Sequence, residues 1–238
     1  MKPGYRHTSL LSSLPGITHA VTTRHGPAFG QVGTDGATAA AAAECARHLN
    51  MDGTAWAHQV HGGTVLRTSS PGLVGQADAL WTDTPGLLLA GRSADCPIIL
   101  VAGRRGEGTP VVGFAHASWR STVQGITRNL LAAMDARPDS MHAAIAPSAG
   151  PCCYEVGPEV SEAMDGDYFP IVNGALHFDL WAANEDQLQE GGVARERIQN
   201  MRICTLCQGE DFWSWRRQKE AAGRFAGVIG LANTAPAS

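Results

Sequence analysis

The sequence predicts a layered α/β or α+β sandwich with a mixed β-sheet. Short apolar runs of strand length alternate with helical stretches, and Gly and Pro separate them. Hydrophobic residues make up 44% of the 238 residues and charged residues 17%, which excludes a wholly disordered chain. No repeat and no low-complexity linker divides the sequence, so we expect one domain over residues 1–238.

The predicted elements follow in chain order. A helix is expected at 38–49, an alanine-rich stretch that Asp35 or Thr38 can cap. Six β-like runs come next, at 56–60, 64–68, 79–82, 87–90, 98–102 and 111–115. Residues 122–134 have apolar side chains at helical spacing, and 143–145 read as a buried strand. Helices at 158–164 and 180–190, the second after the N-cap Asp179, and strands at 198–204 and 225–231 complete the prediction.

Charge and hydropathy exclude several classes of partner. The net charge of -4 argues against a general positively charged surface for binding nucleic acid. The longest apolar runs, at 87–90 and 97–102, are far shorter than the ~20 residues of a membrane-spanning helix. The first sixteen residues lack the apolar core of a secretory signal, so we expect a cytoplasmic protein.

Three segments carry the residues best suited to chemistry. They read HQVHG, ADCP and FAHASWR, and they contain His61, Cys96 and His116 at the ends of predicted strands. Two imidazoles and one thiol are a ligand set that zinc accepts, and three protein ligands leave the open position typical of catalytic zinc. The alternative is two ordinary hydrogen-bonded histidines and a small buried thiol.

Cys96 is also a candidate nucleophile. His116 or His61 could act as its base, as in a cysteine hydrolase. Asp95 is a poor partner on the same face, because neighbouring side chains on a strand point to opposite sides.

The remaining thiols allow a second metal hypothesis. Cys204 and Cys207 form a CxxC, and Cys152 and Cys153 are adjacent. Four thiolates could hold structural zinc, but a second CxxC is missing and adjacent cysteines rarely bind one tetrahedral ion. A redox CxxC would normally open a helix, and this one follows a strand. We therefore expect buried or partly buried thiols.

Arginines near the histidines are candidate phosphate ligands, because guanidinium groups bind phosphate through paired hydrogen bonds. Arg24 lies in a glycine-containing turn, Arg120 follows His116 by four residues, and Arg216 and Arg217 are adjacent in FWSWRR. The alternative for each is an ordinary surface arginine. The sequence lacks GxGxxG, P-loop, HExxH, GxSxG and HxE…PCxxC signatures. It also lacks His-x-His pairs, which argues against a multicopper centre.

These segments, with those that follow them, resemble the YfiH family, also called laccase-domain or polyphenol oxidase proteins. The matching stretches are QVHG at 59–62, SADC at 93–96, AHASWR at 115–120, AIAPSAGPCCYEVG at 144–157, DLWAAN at 179–184, CT at 204–205, and FWSWRR at 212–217 with GR at 223–224. Any one motif is weak, but seven in order are specific. The resemblance covers most of the chain.

The resemblance implies a zinc ion, or copper as the laccase name suggests, bound by His61, Cys96 and His116. It implies a fold similar to the catalytic domain of cytotoxic necrotizing factors. It also implies a purine nucleoside phosphorylase that acts on adenosine, inosine and methylthioadenosine and deaminates adenosine. Arg24, Gln59 and Arg120 are then expected to bind substrate or phosphate, with zinc activating a reacting oxygen.

Two further functions stay open. Some members of the family are described as peptidoglycan editing factors, which remove L-serine from the cell-wall precursor UDP-MurNAc-L-Ser. A zinc-binding protein without catalysis is also conceivable, because this sequence departs from the family pattern. Ser118 and Ser121 stand where glycines are usual, Ala146 and Ala149 also differ, and the loop at 26–33 is shortened.

Overall fold

The computed structural model describes residues 4–30 and 34–233, which form fourteen strands and seven α-helices. The strands are β1 Tyr5–Arg6, β2 Ile17–Thr22, β3 Gly53–His58, β4 Val65–Arg67, β5 Gly72–Gln76, β6 Ala79–Thr82, β7 Leu87–Ser93, β8 Ile98–Arg104, β9 Pro110–His116, β10 His142–Ile145, β11 Ile171–Val172, β12 Ala175–Leu176, β13 Ile198–Asn200 and β14 Phe225–Leu231. The helices are α1 Ser9–Ser12, α2 Asp35–His48, α3 Trp119–Val123, α4 Ile126–Met134, α5 Pro158–Ser161, α6 Leu180–Glu190 and α7 Trp215–Gln218.

Two six-stranded sheets organise the molecule. The first has the order β1-β2-β14-β7-β3-β5 and the second β13-β10-β8-β9-β6-β4. Both are mixed: β3 pairs in parallel with β5 and β7, whereas β14 is antiparallel to β2 and β7. In the second sheet, β4 and β6 are parallel and β8 and β9 are antiparallel. The predicted sandwich with mixed sheets is therefore confirmed.

The main core lies between the two sheets. Leu89 and Ile229 of the first sheet pack with Leu100 and Phe114 of the second. Helix α2 covers the outer face of the first sheet, and α4 and α6 cover the outer face of the second. The result is four layers, helix–sheet–sheet–helix, in which strand ends from both sheets can meet at one site.

Glycines bring the two sheets close together. Gly91 of β7 and Gly227 of β14 are directly opposite each other in the ladder. A Cβ on Gly91 would lie 2.5 Å from Cδ2 of Phe114, and one on Gly227 would lie 2.8 Å from Cγ2 of Ile98. Any larger residue would force the inner faces apart.

The structure changes several predicted boundaries. The predicted helix at 122–134 is divided, because Gly125 adopts φ 70° between α3 and α4. The helix predicted at 38–49 is α2, which begins at Asp35 with Thr34 as the N-cap. The predicted strand at 198–204 ends at Asn200, close to the left-handed Arg202 (φ 49°). The helix predicted at 158–164 is only one turn long, α5.

Some predictions coincide with the structure and some elements were missed. β6, α6 and β14 have the predicted bounds, and Asp179 caps α6 by accepting from the backbone N–H of Ala182 at 3.0 Å. β1, β2, β5, α1, α7 and the β11–β12 hairpin were not predicted. Over residues 4–30 and 34–233, no helix has the length and apolar character needed to cross a membrane.

Candidate metal centre and active site

His61, Cys96 and His116 meet at the strand ends, as their sequence positions suggested. His61 follows β3 and Cys96 follows β7 in the first sheet, and His116 ends β9 in the second. Their ligand atoms all lie within 4.8 Å of one another. The two imidazole rings are 5.1 Å apart, centre to centre, at 68°. The two sheets thus converge on one His-Cys-His group.

Asp78 orients two members of this group. Its fully buried carboxylate accepts a hydrogen bond from Nδ1 of His116 at 2.8 Å, which directs Nε2 of that ring to the site. The same carboxylate accepts the backbone N–H groups of Val60, His61 and Gly62 at 3.1, 3.0 and 2.7 Å. A carboxylate behind a histidine is the usual support of a metal-binding imidazole. Sequence analysis missed Asp78.

The charges of Cys96 and His116 support each other. Burial raises the pKa of the Cys96 thiol, but His116 and His61 more than offset this and lower it to about 7. Burial lowers the pKa of His116, but Cys96 and Asp78 more than offset this and raise it to about 9. The residues fit a zinc-class cation, since two nitrogens and one sulfur converge and leave room for a fourth ligand.

Asp95 supports the loop that carries Cys96. It is a non-glycine residue at φ 106°, a strained conformation that its partners hold in place. Its carboxylate accepts the hydroxyl of Thr205 at 2.6 Å and the backbone N–H of Arg216 at 2.8 Å. These contacts direct Asp95 away from the histidines, and Asp78 orients His116 instead. Strand alternation predicted the same result from the sequence, but Asp95 lies in the loop after β7.

A cavity of about 340 Å³ opens onto the His-Cys-His group. This size is within the range of small-molecule sites. Its cationic and aromatic lining comprises Arg92, Arg216, Arg224, Tyr154 and Trp215. Burial, with smaller contributions from Cys96 and Asp95, raises the pKa of Tyr154, so its hydroxyl stays protonated.

Of the three residues predicted to bind substrate or phosphate, one lines the cavity and two do not. Gln59 lines the cavity, but its amide bonds the backbone N–H and carbonyl of Arg92, both at 2.8 Å. Arg24 lies over the ring of Trp213 and Arg120 over that of Trp119. Within the described part of the chain, neither is among the residues lining the cavity. Their phosphate-binding role stays a prediction.

Two of the departures from the family pattern, Ser118 and Ser121, meet at the start of α3. Ser118 is the N-cap of α3, and its side chain accepts from the backbone N–H of Ser121 at 3.2 Å. Ser118 adopts φ -58°, so this position does not require glycine here. Residues 31–33 of the shortened loop lie outside the described residues, whereas Gly30 lines the cavity.

Fold and site together define a two-sheet sandwich protein with a metal-type His-Cys-His centre beneath a small-molecule cavity. The chain belongs to the family described as multi-copper polyphenol oxidoreductase laccase, whose model matches residues 30–232. The resemblance inferred from the sequence motifs is thereby confirmed.

Relatives of this chain are named as enzymes. It is 37% identical to a purine nucleoside phosphorylase of Deinococcus radiodurans, over 73% of this chain and 68% of that protein. It is 35% identical to purine nucleoside phosphorylase YfiH of Escherichia coli K12, over 74% and 73%. It is also 35% identical to adenosine deaminase RL5 of an unknown prokaryotic organism, over 63% and 61%. The prediction of an enzymatic family is confirmed.

A solved structure shares the whole fold. The crystal structure of YlmD from Geobacillus stearothermophilus superposes with a TM-score of 0.84 at 27% identity, covering 98% of both chains.

Proposed function

We propose that this protein is a zinc-dependent purine nucleoside phosphorylase that acts on adenosine, inosine and methylthioadenosine, with adenosine deamination as a side activity. One observation carries the proposal: a single cavity joins the His-Cys-His group to the guanidinium groups of Arg216 and Arg224. The relatives named phosphorylase and deaminase support it.

Arg216 and Arg224 are the proposed phosphate ligands. Arg216 uses Nη1 to bond the carbonyl of Glu155 at 2.7 Å, and Arg224 uses Nη1 to bond two carbonyls of its own loop. A guanidinium has five N–H donors, so each keeps donors for a phosphate dianion. Arg92 is committed to the scaffold, since its guanidinium bonds Thr38 and the carbonyl of Ala57.

The aromatic residues provide the proposed base site. Trp215 and Tyr154 line the cavity and offer flat surfaces against which a purine can stack. The protonated hydroxyl of Tyr154 can donate a hydrogen bond to a base or ribose acceptor. This arrangement suits a flat purine base next to a ribose.

Phosphorolysis exchanges one bond at the anomeric carbon for another. A phosphate oxygen forms a bond to the anomeric carbon as the glycosidic C–N bond breaks, and the purine leaves with the electron pair and takes up a proton. In deamination, water replaces the amino group at C6 and ammonia is released. A bound zinc-class cation supplies Lewis-acid chemistry that polarises an oxygen or activates water. Asp78 holds His116 in place for that ion.

The test is release of base from inosine, adenosine and methylthioadenosine with and without phosphate. We expect phosphate-dependent release, with one ribose 1-phosphate, or its methylthio analogue, per base. Arg224→Gln should raise the KM for phosphate about 10-fold or more, since a charged hydrogen bond of about 1.5–3 kcal/mol is lost. The matched control Arg128→Gln removes an arginine that pairs with Glu190 on the surface, away from the cavity lining.

Three results would overturn the proposal. Base release that needs no phosphate would indicate hydrolysis of the nucleoside. No release from metal-loaded protein, together with release of L-serine from UDP-MurNAc-L-Ser, would assign the site to cell-wall precursor editing. No turnover of either substrate class would indicate a metal-binding protein without catalysis.

A further inference from the structure

A second group of potential metal ligands lies in two loops beside the cavity. Cys152 and Cys153 are in the turn after β10, and Cys204 and Cys207 are in the turn after β13. The Sγ atoms of these four cysteines all lie within 4.8 Å of one another. The expectation of buried or partly buried thiols was only partly correct: Cys204 is buried, but Cys152 and Cys207 are exposed.

A turn explains how adjacent cysteines can share one centre. The N–H of Cys153 donates to the carbonyl of Gly150 at 2.9 Å. In such a turn, consecutive side chains need not alternate between two faces as they do on a strand. The sequence objection to adjacent ligands therefore does not apply to this geometry.

The two loops are fixed against each other by backbone hydrogen bonds. The N–H of Ser148 donates to the carbonyl of Ile203 at 3.1 Å, and the N–H of Thr205 donates to the carbonyl of Ser148 at 2.9 Å. The four sulfurs thus converge on a preformed scaffold, and binding an ion would not require the loops to be brought together first.

The sulfur spacing matches a tetrahedral metal site. With Zn–S bonds of about 2.3 Å, the sulfurs of a tetrahedron lie about 3.8 Å apart. Sγ of Cys152 lies 3.7 Å from Sγ of Cys207. A disulfide would require about 2.05 Å. The observed distance fits two ligands of one ion as well as a thiol hydrogen bond, and the other sulfur pairs lie within 4.8 Å.

Backbone donors surround the most buried sulfur. Sγ of Cys204 accepts the N–H of Gly150 at 3.3 Å and also the N–H groups of Leu206 and Cys207. These groups stabilise negative charge on a sulfur that is buried and would otherwise be poorly solvated. Donors of this kind orient a metal-binding thiolate and are expected around one.

We propose that Cys152, Cys153, Cys204 and Cys207 bind a structural zinc ion, distinct from the His-Cys-His centre. Four thiolates fill the tetrahedron, so this site leaves no position for substrate. Binding displaces the thiol protons to solvent and changes no oxidation state.

The ion would fix the positions of two loops next to the cavity. Tyr154, which lines the cavity, directly follows Cys153. Thr205 directly follows Cys204, and its hydroxyl bonds the carboxylate of Asp95 beside Cys96. The proposed site therefore holds the loop that orients the cavity aromatic and the loop that supports Asp95.

Cobalt(II) substitution tests the proposal without relying on activity. The probe is cobalt alone, added to metal-free protein under reducing conditions. Wild type offers five candidate thiolates in its two groups, Cys96 and the four clustered cysteines. The double variant Cys204→Ser/Cys207→Ser should lose most of the near-ultraviolet sulfur-to-cobalt absorption, because only Cys96 keeps its full ligand environment. It should also hold about one zinc fewer per chain by mass spectrometry.

A matched control removes a thiol elsewhere. Cys45→Ala deletes a buried thiol of α2 outside both groups and should leave the absorption and the zinc content unchanged. Equal absorption and equal zinc content in wild type and double variant would overturn the proposal.

A second measurement uses only the wild-type chain, in case the double variant does not fold. Cys152 and Cys207 are exposed, so iodoacetamide can reach both unless they bind a metal. Because burial raises the pKa of the Cys152 thiol, the reaction is run at alkaline pH. With zinc they should be protected, and a chelator should remove the protection at both together. Equal alkylation with and without zinc, or a Cys152–Cys207 disulfide in freshly purified protein, would contradict a metal site.

Discussion

The Asp78→Asn substitution tests how the fold supports the His-Cys-His centre. The carboxylate accepts four hydrogen bonds: Oδ1 from Nδ1 of His116 and the N–H of His61, and Oδ2 from the N–H groups of Val60 and Gly62. Asparagine has the same shape but only one acceptor oxygen. In either orientation, two of the four donors then face an NH₂ group, which cannot accept.

The expected loss of stability in Asp78→Asn follows from those four hydrogen bonds. Losing two hydrogen bonds to a charged group costs about 3–6 kcal/mol, at about 1.5–3 kcal/mol each. A neutral amide is cheaper to bury than a carboxylate, so we expect a net loss of about 2–4 kcal/mol in the free energy of unfolding. Metal affinity should fall about 10- to 100-fold, as is usual when the partner of a metal-binding histidine is removed.

Two assays measure these effects. Urea unfolding gives the stability change, and competition with a chromophoric chelator gives the zinc affinity under conditions where the variant is folded. The control is Asp83→Asn, which removes a carboxylate that accepts from Arg67, just beyond the opposite end of β6. A folded Asp78→Asn protein that binds zinc as tightly as wild type would refute the supporting role of Asp78.

Two further predictions concern stability. His19 is buried, and burial together with the charge of His7 lowers its pKa from 6.5 to about 4. As the pH drops, the unfolded chain binds a proton at this histidine before the folded chain does. The free energy of unfolding should therefore fall by up to about 3 kcal/mol between about pH 6.5 and 4. Urea unfolding of His19→Gln at several pH values should lack this decrease. Gly91→Ala should cost about 1–3 kcal/mol by overpacking against Phe114. In calorimetry, Gly91→Ala/Phe114→Leu should lose less than the sum of the single variants, and strict additivity would show that the two sites do not touch.

Much of the fold was accessible from hydrophobic patterning. β14 and α6 were predicted with their observed bounds, because an unbroken apolar run and a capped amphipathic stretch are strong local signals. The edge strands β1 and β5 were missed, since they are short and half exposed and carry no alternating pattern. The break at Gly125 was missed because the apolar spacing continues through it.

Part of the site could be predicted as well, from side-chain chemistry and not from hydrophobic patterning. His61, Cys96 and His116 were singled out by their chemistry at strand ends, and the structure brings them together. Asp78 was missed because its role depends on complete burial and on pairing with a strand 38 residues away, neither of which a single sequence shows. Arg224 belongs to a stretch that matches the family, but its place in the cavity was missed because the fold, rather than any local spacing, brings it there.

The most direct test of the account is zinc titration of metal-free protein while phosphorolysis of inosine is followed. We predict no base release without metal, recovery of phosphate-dependent release as zinc is added, and no recovery in His116→Ala. Full turnover by metal-free wild-type protein would contradict the account and would favour Cys96 as a nucleophile with His116 and Asp78 behind it.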